Sequence, residues 1–491
     1  MNPFYVWVSL FVWMSIALGI AYMARRGLGE GVREYFLGGR RLGGFVSGMS
    51  YSATTYSAFM LVGLVGLTYE SGVGALGFEM TYLMFTVLLL SVFAPRFWLA
   101  GNKYDFLTPA ELLSSRYETT WAGIVASLIF LVMLVPYGAV QLMGIGFLVE
   151  GLTGGDIPYM AGVFVMAGFA GFSAIWAGMR SVSWTDAFQA ITMLTTSLFA
   201  LFYVFFRFFG SPGNFFRTIT VENPELLELT WDPKLFIGLA LPWAFFALTN
   251  PQVSQRMLVP DNLSSLKRMI IYFSVFGFVY TIISTLFGFQ AASLLPELEN
   301  ADKAMSVLLT KVPLPLGLII FLGIFAAATS TLGSITLTLS SSISRDVIRN
   351  LFPEVKEGTQ LRSGKLAIPF LIAVFVLFAW LRPGLIAVLS SMASGGLLVT
   401  APPLIGAFFW KGGTGPGAVT SMTLGGIFTG LLYVSNLKPF GWWPSVWGFI
   451  LTVFLFITVS WLTAPPEKSE EFVDYVDRRM EEVSGADSGN E

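Results

Sequence analysis

The 491-residue chain contains no cysteine and no histidine. The first absence removes disulfides and thiolate chemistry. The second removes the commonest general base, proton relay and metal ligand. A membrane-bound histidine kinase and a zinc protease are therefore excluded. Charge is also scarce: Asp, Glu, Lys and Arg make up 12% of the chain, against roughly 25% in an ordinary soluble domain. No basic stripe offers a nucleic-acid surface, so no nucleic-acid partner is expected. Any function must run on carboxylates, hydroxyls, backbone carbonyls and shape.

What the chain has in abundance is apolar side chains, 55% of its residues, with 46 phenylalanines. This is the composition of an all-α polytopic membrane protein. Segments long enough to cross a bilayer, about 20 residues each, fall near 4–24, 43–70, 74–100, 120–150, 158–178, 183–209, 235–257, 267–294, 314–344, 364–382, 385–410, 414–435 and 444–464. That makes about thirteen transmembrane helices. The first starts at Phe4 with no positive stretch before it, and reads as a retained helix, not a signal peptide. With the N-terminus outside, 21 of the 28 basic residues fall on inner connections or the tail. That is the positive-inside pattern. A multi-pass protein of the cell (cytoplasmic) membrane, C-terminus cytoplasmic, is the expectation. Residues 465–491 carry nine acids and three bases, and read as a solvated acidic cytoplasmic tail.

Two spans differ from plain lipid-facing helices. In the second, GGFVSGMSYSATTYSAFMLVG, Gly, Ser and Thr interrupt the apolar run. The seventh, LALPWAFFALTNPQVSQRM, holds Pro242, Asn250 and Pro251. They lie five helices apart, and each heads a block of five. Broken segments at matching places in two halves point to an inverted-repeat transporter. The alternative is small residues at packed helix contacts. The chain then divides into one transmembrane domain, 1–464, and the tail 465–491. Within the domain, 4–42 is an extra N-terminal helix and loop and 43–209 the first repeat. The second, inverted repeat is 235–410, and 411–464 adds two C-terminal helices.

The ninth span is the most polar. Ten of the sixteen positions from Thr329 to Ser344 are Ser or Thr, and hydroxyls in hydrocarbon need partners. Most are expected to bond back to the carbonyl one turn earlier. Ala327, Ser330, Thr331, Ser334 and Thr338 recur at spacings of three and four, so they share a face. On that face the adjacent pair Ser330-Thr331 offers two oxygens to a shared guest. A small hard cation such as sodium suits them, with carbonyls of a broken helix as further ligands.

AATSTLGSITLTLSSSISRD, together with YFLGGRRLGG, AGMRSVSWTDAFQ and NPQVSQR in this order, resembles the solute:sodium symporter family over nearly the whole chain. The resemblance implies a five-plus-five inverted repeat of the LeuT type. It implies no enzyme but a sodium-coupled symporter, importing a small organic solute by alternating access. An amino acid such as proline, a monocarboxylate, a vitamin or a sugar would fit. It implies co-transported sodium held by the carbonyls of Ala53, Tyr56 and Ala327 and the hydroxyls of Ser330 and Thr331. Asp186 matches an acid near the sodium exit route, which in some relatives joins a second sodium site with two further hydroxyls. Those positions read Gly333 and Ser334 here, one oxygen short, so one sodium per cycle is expected. The structural alternative pairs Asp186 with Arg180.

Glu79 matches an acid that accepts hydrogen bonds from substrate hydroxyls in sugar-transporting relatives; the alternative is an acid snorkelling to the interface. Thr55, Ser57, Trp243 and Asn250 complete the substrate-binding candidates. Their signals point to different solutes, since Phe59 and Met60 replace polar sugar contacts and Ala247 replaces the tyrosine of the proline pattern. Arg40, in GGRRLGG, matches a basic residue at the cytoplasmic mouth. A proton-coupled symporter, with Glu79 and Asp186 as carriers, is the alternative within this class. A channel would show a pore-lining ring or a filter-like loop, and neither is evident. Both repeats lie in one chain, so a monomer suffices; solute, sodium and lipid bilayer are the expected partners.

Overall fold

The computed structural model describes all residues except 27, 28, 30, 296 and 489–491. Among the described residues regular structure is helical; the one extended feature is an isolated bridge between Leu42 and Pro260. Helix α1 (Pro3–Arg25) is followed by a broken pair, α2 (Gly44–Thr55) and α3 (Phe59–Ser71). Then come α4 (Val73–Tyr104), the short α5 (Pro109–Arg116), α6 (Thr120–Thr153), α7 (Tyr159–Trp176) and α8 (Gly178–Phe209). A second broken run comprises α9 (Pro233–Ala244), the turn Phe246–Thr249 and α10 (Pro251–Ser254). Helices α11 (Leu263–Leu294), α12 (Leu314–Leu351), α13 (Glu357–Leu381) and α14 (Ile386–Phe409) follow, and α15 (Gly415–Val434), α16 (Pro444–Trp461) and α17 (Ser469–Ser488) complete the chain. Eleven helices among the described residues are long and apolar enough to cross a membrane. The spans near 43–70 and 235–257 are absent from that set because each is interrupted.

The interruptions have local causes. At the end of α2, Tyr56 leaves the helical region (φ −93°, ψ 94°) after a run of Ser, Ala and Thr that gives the helix little apolar drive. In the second broken run, Pro251 lacks an N–H and pushes the residue before it out of the α region; Asn250 sits at φ −90°, ψ 107°. The two breaks lie inside the molecule. Helix α12 packs against α8, α6 and α2, while α11 closes over α2, α3 and α4. Close approach of α2 and α11 depends on Gly48, where a Cβ would stand 3.2 Å from the Met269 carbonyl oxygen. Helices α12 and α14 are the most enclosed of the eleven, while α1 and α13 show more side chain to the exterior.

The acidic tail is not a free end: its charged side is exposed while an apolar side is docked. Its residues 469–488 form α17, whose Phe472, Val473 and Val476 are buried against the ends of α4 and α14. Phe472 stacks on Tyr104 at 5.1 Å, and Lys103–Glu471 (3.1 Å) and Lys411–Asp474 (2.7 Å) tie its polar face down. Charge composition hid an apolar stripe at helical spacing, which is what docks. At the opposite face, Asp302 is buried in a short helical segment and accepts the Ile386 N–H at 3.0 Å, capping α14.

Phe472→Ala should lower the melting temperature of the purified protein, a cost on the order of 3 kcal/mol for a lost buried ring; an unchanged melting curve would mean that α17 is free in solution. Burial raises the Asp302 carboxyl to about 6, with the nearby Glu70 adding to the shift and the Ile386 N–H opposing it. The folded chain then holds this proton more tightly than the unfolded one, so the contribution to stability is full below about pH 4 and falls as pH rises through 6. Asp302→Asn should remove that fall, measured as the wild-type minus variant difference in melting temperature between pH 4 and 7.

Candidate cation and solute site

A helix end leaves carbonyls without intrahelical partners, and its last turn carries partial negative charge. At the end of α2 the Tyr56 N–H still bonds to the Ser52 carbonyl (2.8 Å), but the carbonyls of Ala53 and Thr54 turn to α12. Ser330 Oγ donates to the Ala53 oxygen at 2.7 Å and to the Ala327 oxygen at 2.9 Å. Thr331 Oγ1 lies 3.1 Å from the Thr54 oxygen and 3.3 Å from that of Ala53. Five oxygens thus converge from two helices, all on buried residues. Ala53, Ala327, Ser330 and Thr331 are brought together as the sequence suggests, and Thr54 is an addition. Tyr56 supplies the break; its ring lies among Phe273, Phe276, Tyr280 and Tyr82.

One turn along α12 lies a second cluster. Asp186, on α8, is buried and pairs with Arg256 at 2.9 Å, so its partner is not Arg180. Ser50 donates to the same carboxylate oxygen (2.8 Å), and Thr54 Oγ1 stands 3.5 Å from it. The Arg256 guanidinium also donates to Ser334 Oγ at 2.5 Å, and Ser334 is 3.0 Å from Thr54 Oγ1. Thr54 therefore touches both clusters, its carbonyl one and its hydroxyl the other. Beside it, Gly333 has nothing within 4 Å of where a Cβ would stand. Arg256 lies just past the Asn250–Pro251 break, so this pair ties the second broken run to α8.

The expectation that most α12 hydroxyls bond back along the helix fails. Thr329, Thr336 and Ser341 do so, as does Ser330 toward Ala327, but Thr338 bonds to Gln255 (2.7 Å), Ser340 to the Gly364 carbonyl and Ser344 to that of Gln360. The helix carries hydroxyls chiefly where other elements present acceptors. Further along, Asp346 accepts from Thr108 (2.6 Å) and Ser127 (2.9 Å), joining α12 to α5 and α6.

The solute candidates are spread over one interior region. Glu79 is fully buried, not snorkelling, and neither carboxylate oxygen has a hydrogen-bond partner. Thr55 Oγ1 is likewise buried without a partner, and Ser57 Oγ caps the Phe59 N–H at 3.1 Å. Trp243 is a wall rather than a free contact. Phe59 and Phe246 stack on it at 5.0 and 5.2 Å, and its Nε1 donates to Ser391 at 2.9 Å. Asn250 keeps its side chain near Thr249 and Gln252, at 3.4 and 3.5 Å. Arg40 stands apart, at the face that also carries α17. It binds Asn102 Oδ1 and the Phe106 carbonyl at 2.8 and 2.6 Å, and burial draws its guanidinium down to about 10. Sequence reading did not single out Thr54, Ser50, Arg256 or Asp346. The available signal was a lone Arg one turn past the NP break.

A family profile described as the sodium:solute symporter family matches residues 35–425. The sodium/pantothenate symporter of Escherichia coli (strain K12) is 27% identical over 461 residues, covering 92% of this chain and 95% of that protein. The sodium/proline symporter of Staphylococcus aureus is 26% identical over 485 residues, covering 94% and 93%. Among solved structures, a Na+-coupled sialic acid symporter in a substrate-bound outward-open state superposes with a TM-score of 0.81. It covers 95% of this chain and 99% of its own, at 21% identity, a likeness of fold. With the profile matching residues 35–425, and with the broken α2 meeting α12 at a cluster of oxygens, the chain belongs to the sodium:solute symporter family.

Proposed function

We propose that this sodium-coupled solute symporter holds its sodium between the end of α2 and the Ser330-Thr331 pair of α12. Ligands would be the carbonyls of Ala53, Tyr56 and Ala327 and the two hydroxyls, with the Thr54 carbonyl as a further oxygen. The observation that carries this reading is the convergence of released α2 carbonyls on adjacent hydroxyls in a buried place, since neutral oxygens suit a hard monovalent cation. A cation there competes with the hydroxyl-to-carbonyl hydrogen bonds that now join α2 to α12, so binding and helix position are linked.

One sodium per cycle follows from the neighbouring cluster. Position 333 supplies no oxygen, and the Asp186 and Ser334 oxygens are engaged by the Arg256 guanidinium. The solute would bind beside Thr55, Ser57, Glu79 and Asn250, with Trp243 as the wall behind them. Relatives carry pantothenate and proline, so a small organic solute of that size is the cargo class. We take the two broken runs to cross the membrane with the eleven other spans, thirteen in all, in a five-plus-five inverted repeat that alternates access. The distribution of Lys and Arg supports an N-terminus outside and a C-terminus in the cytoplasm of the cell membrane, placing Arg40 and α17 at the inner mouth. One chain contains both repeats and is sufficient as a monomer. Moving one charge through 100 mV is worth roughly 2.3 kcal/mol, more than a tenfold accumulation requires.

Uptake into proteoliposomes under imposed sodium or proton gradients tests the reading. Sodium should drive uptake with a Hill coefficient near one, and indifference to sodium would sink it. Thr331→Ala should raise the sodium concentration for half-maximal uptake about tenfold, the equivalent of one lost ligand near 1.4 kcal/mol. Thr338→Ala, which loses its bond to Gln255, should change it less than twofold; equal effects would displace the site. Asp186→Asn strands a buried guanidinium and should cost about 3–5 kcal/mol of stability, with Asp186→Asn/Arg256→Met recovering part of the melting temperature. No recovery in the double variant would show that the pair is not the source of the loss.

A further inference from the structure

Of the four acids less than 5% exposed among the described residues, three have hydrogen-bond partners. Asp186 has the Arg256 guanidinium, Asp346 the hydroxyls of Thr108 and Ser127, and Asp302 the Ile386 N–H. Glu79 is fully buried, and both its oxygens lack any hydrogen-bond partner. It does not stand alone in this. The hydroxyls of Tyr82 and Thr86, one and two turns further along the same face of α4, are buried and unpartnered, as are those of Tyr56 and Tyr137. Tyr56 and Tyr82 have ring centroids 6.3 Å apart, and both Tyr82 (5.1 Å) and Tyr137 (6.4 Å) meet Trp243 edge-on. Glu79 and Tyr82 lie one turn apart on α4, which brings the carboxylate to the tyrosine that meets both Tyr56 and Trp243. A carboxylate and several unpartnered hydroxyls therefore lie in one part of the interior, with Tyr82 between the Glu79 face of α4 and Trp243.

We propose that the solute carried by this protein presents a protonated amine to Glu79, and that solutes of net negative charge are rejected there. This deepens the reading of Glu79 as a solute contact and rests on it. An isolated carboxylate in a low-dielectric interior is strongly disfavoured unless a counter-charge meets it. An ionised carboxylate only accepts hydrogen bonds and an ammonium only donates them, so the two are complementary; phenol oxygens accept the remaining N–H bonds. The rings of Tyr82 and Tyr137 add electron-rich surface for a cation, whereas the Tyr56 ring is stacked on Phe273. The faces of Trp243 do not contribute, since Phe59 and Phe246 cover them. A solute with a carboxylate and no amine would bring only like charge to Glu79. An uncharged polyol can donate hydroxyls to Glu79 but supplies no counter-charge, so it is expected to bind more weakly than an amine.

The test is ligand-induced thermal stabilisation and uptake by the full chain in sodium, with a panel matched for size. Primary and secondary amines and zwitterionic amino acids stand on one side; pantothenate, lactate and glucose stand on the other. Sodium-dependent stabilisation by members of the amine group alone is expected. Glu79→Gln should weaken that binding at least tenfold while sodium by itself still raises the melting temperature of the variant. Wild-type binding of pantothenate, lactate or glucose in preference to every amine would overturn the proposal, and this outcome needs no folded variant. So would an amine affinity in Glu79→Gln within twofold of wild type. Failure of sodium to stabilise the wild-type protein is a different result, and it would count against the sodium site instead.

Discussion

Carbonyl groups released inside a low-dielectric interior must find partners, and much of the structure depends on how this is done. Where α2 stops at Tyr56, the oxygens of Ala53 and Thr54 are left pointing at α12. Only a helix with hydroxyls at adjacent positions on the facing side can answer them, and Ser330-Thr331 does so. That helix must then be enclosed on every side, so α6 and α8 sheathe it and its other hydroxyls serve Gln255, Gly364 and Gln360. Glycine at position 48 serves the same region, because α11 packs closely against α2 there. The break in α2 is thus answered by the composition of α12.

Charge is treated with the same economy. Three of the four most deeply buried carboxylates among the described residues, Asp186, Asp302 and Asp346, are met by groups of matching kind, and the matches join separate elements: α8 to the second broken run, α12 to α5 and α6, and a short segment before α12 to α14. These contacts are expensive to break from one side, since removal of one partner leaves the other stranded. They also run between separate elements, so each fixes one part of the fold against another.

Much of this was legible in the sequence, for reasons that differ by feature. Helical spacing revealed the Ser330-Thr331 face, and Gly, Ser, Thr and Pro marked both breaks, because these signals are local. Partnership is not local. Asp186 showed itself as a costly intramembrane acid, but its partner lies 70 residues away and resembled an ordinary loop arginine. The hydroxyls of α12 were expected to satisfy themselves within their helix, which holds only for a helix facing lipid or plain apolar surface; here the neighbours offer carbonyls and amides. Trp243 looked like a contact because aromatics so often are, whereas its two faces and its N–H are all used by the protein. The tail misled in another way, since net charge reports the outer side of an amphipathic helix and is silent about the three side chains that hold it down.

The open space beside Gly333 bears on how this protein could change over evolutionary time. A serine there meets no steric obstacle, so the substitution that would restore a missing oxygen is a small step. It would gain little by itself, because the oxygens it would have to join, those of Asp186 and Ser334, already hold the Arg256 guanidinium. Releasing them requires a second change at Arg256, which also anchors the helix after the NP break. On the one-sodium reading proposed above, a change in the ratio of ions to solute therefore takes more than one substitution.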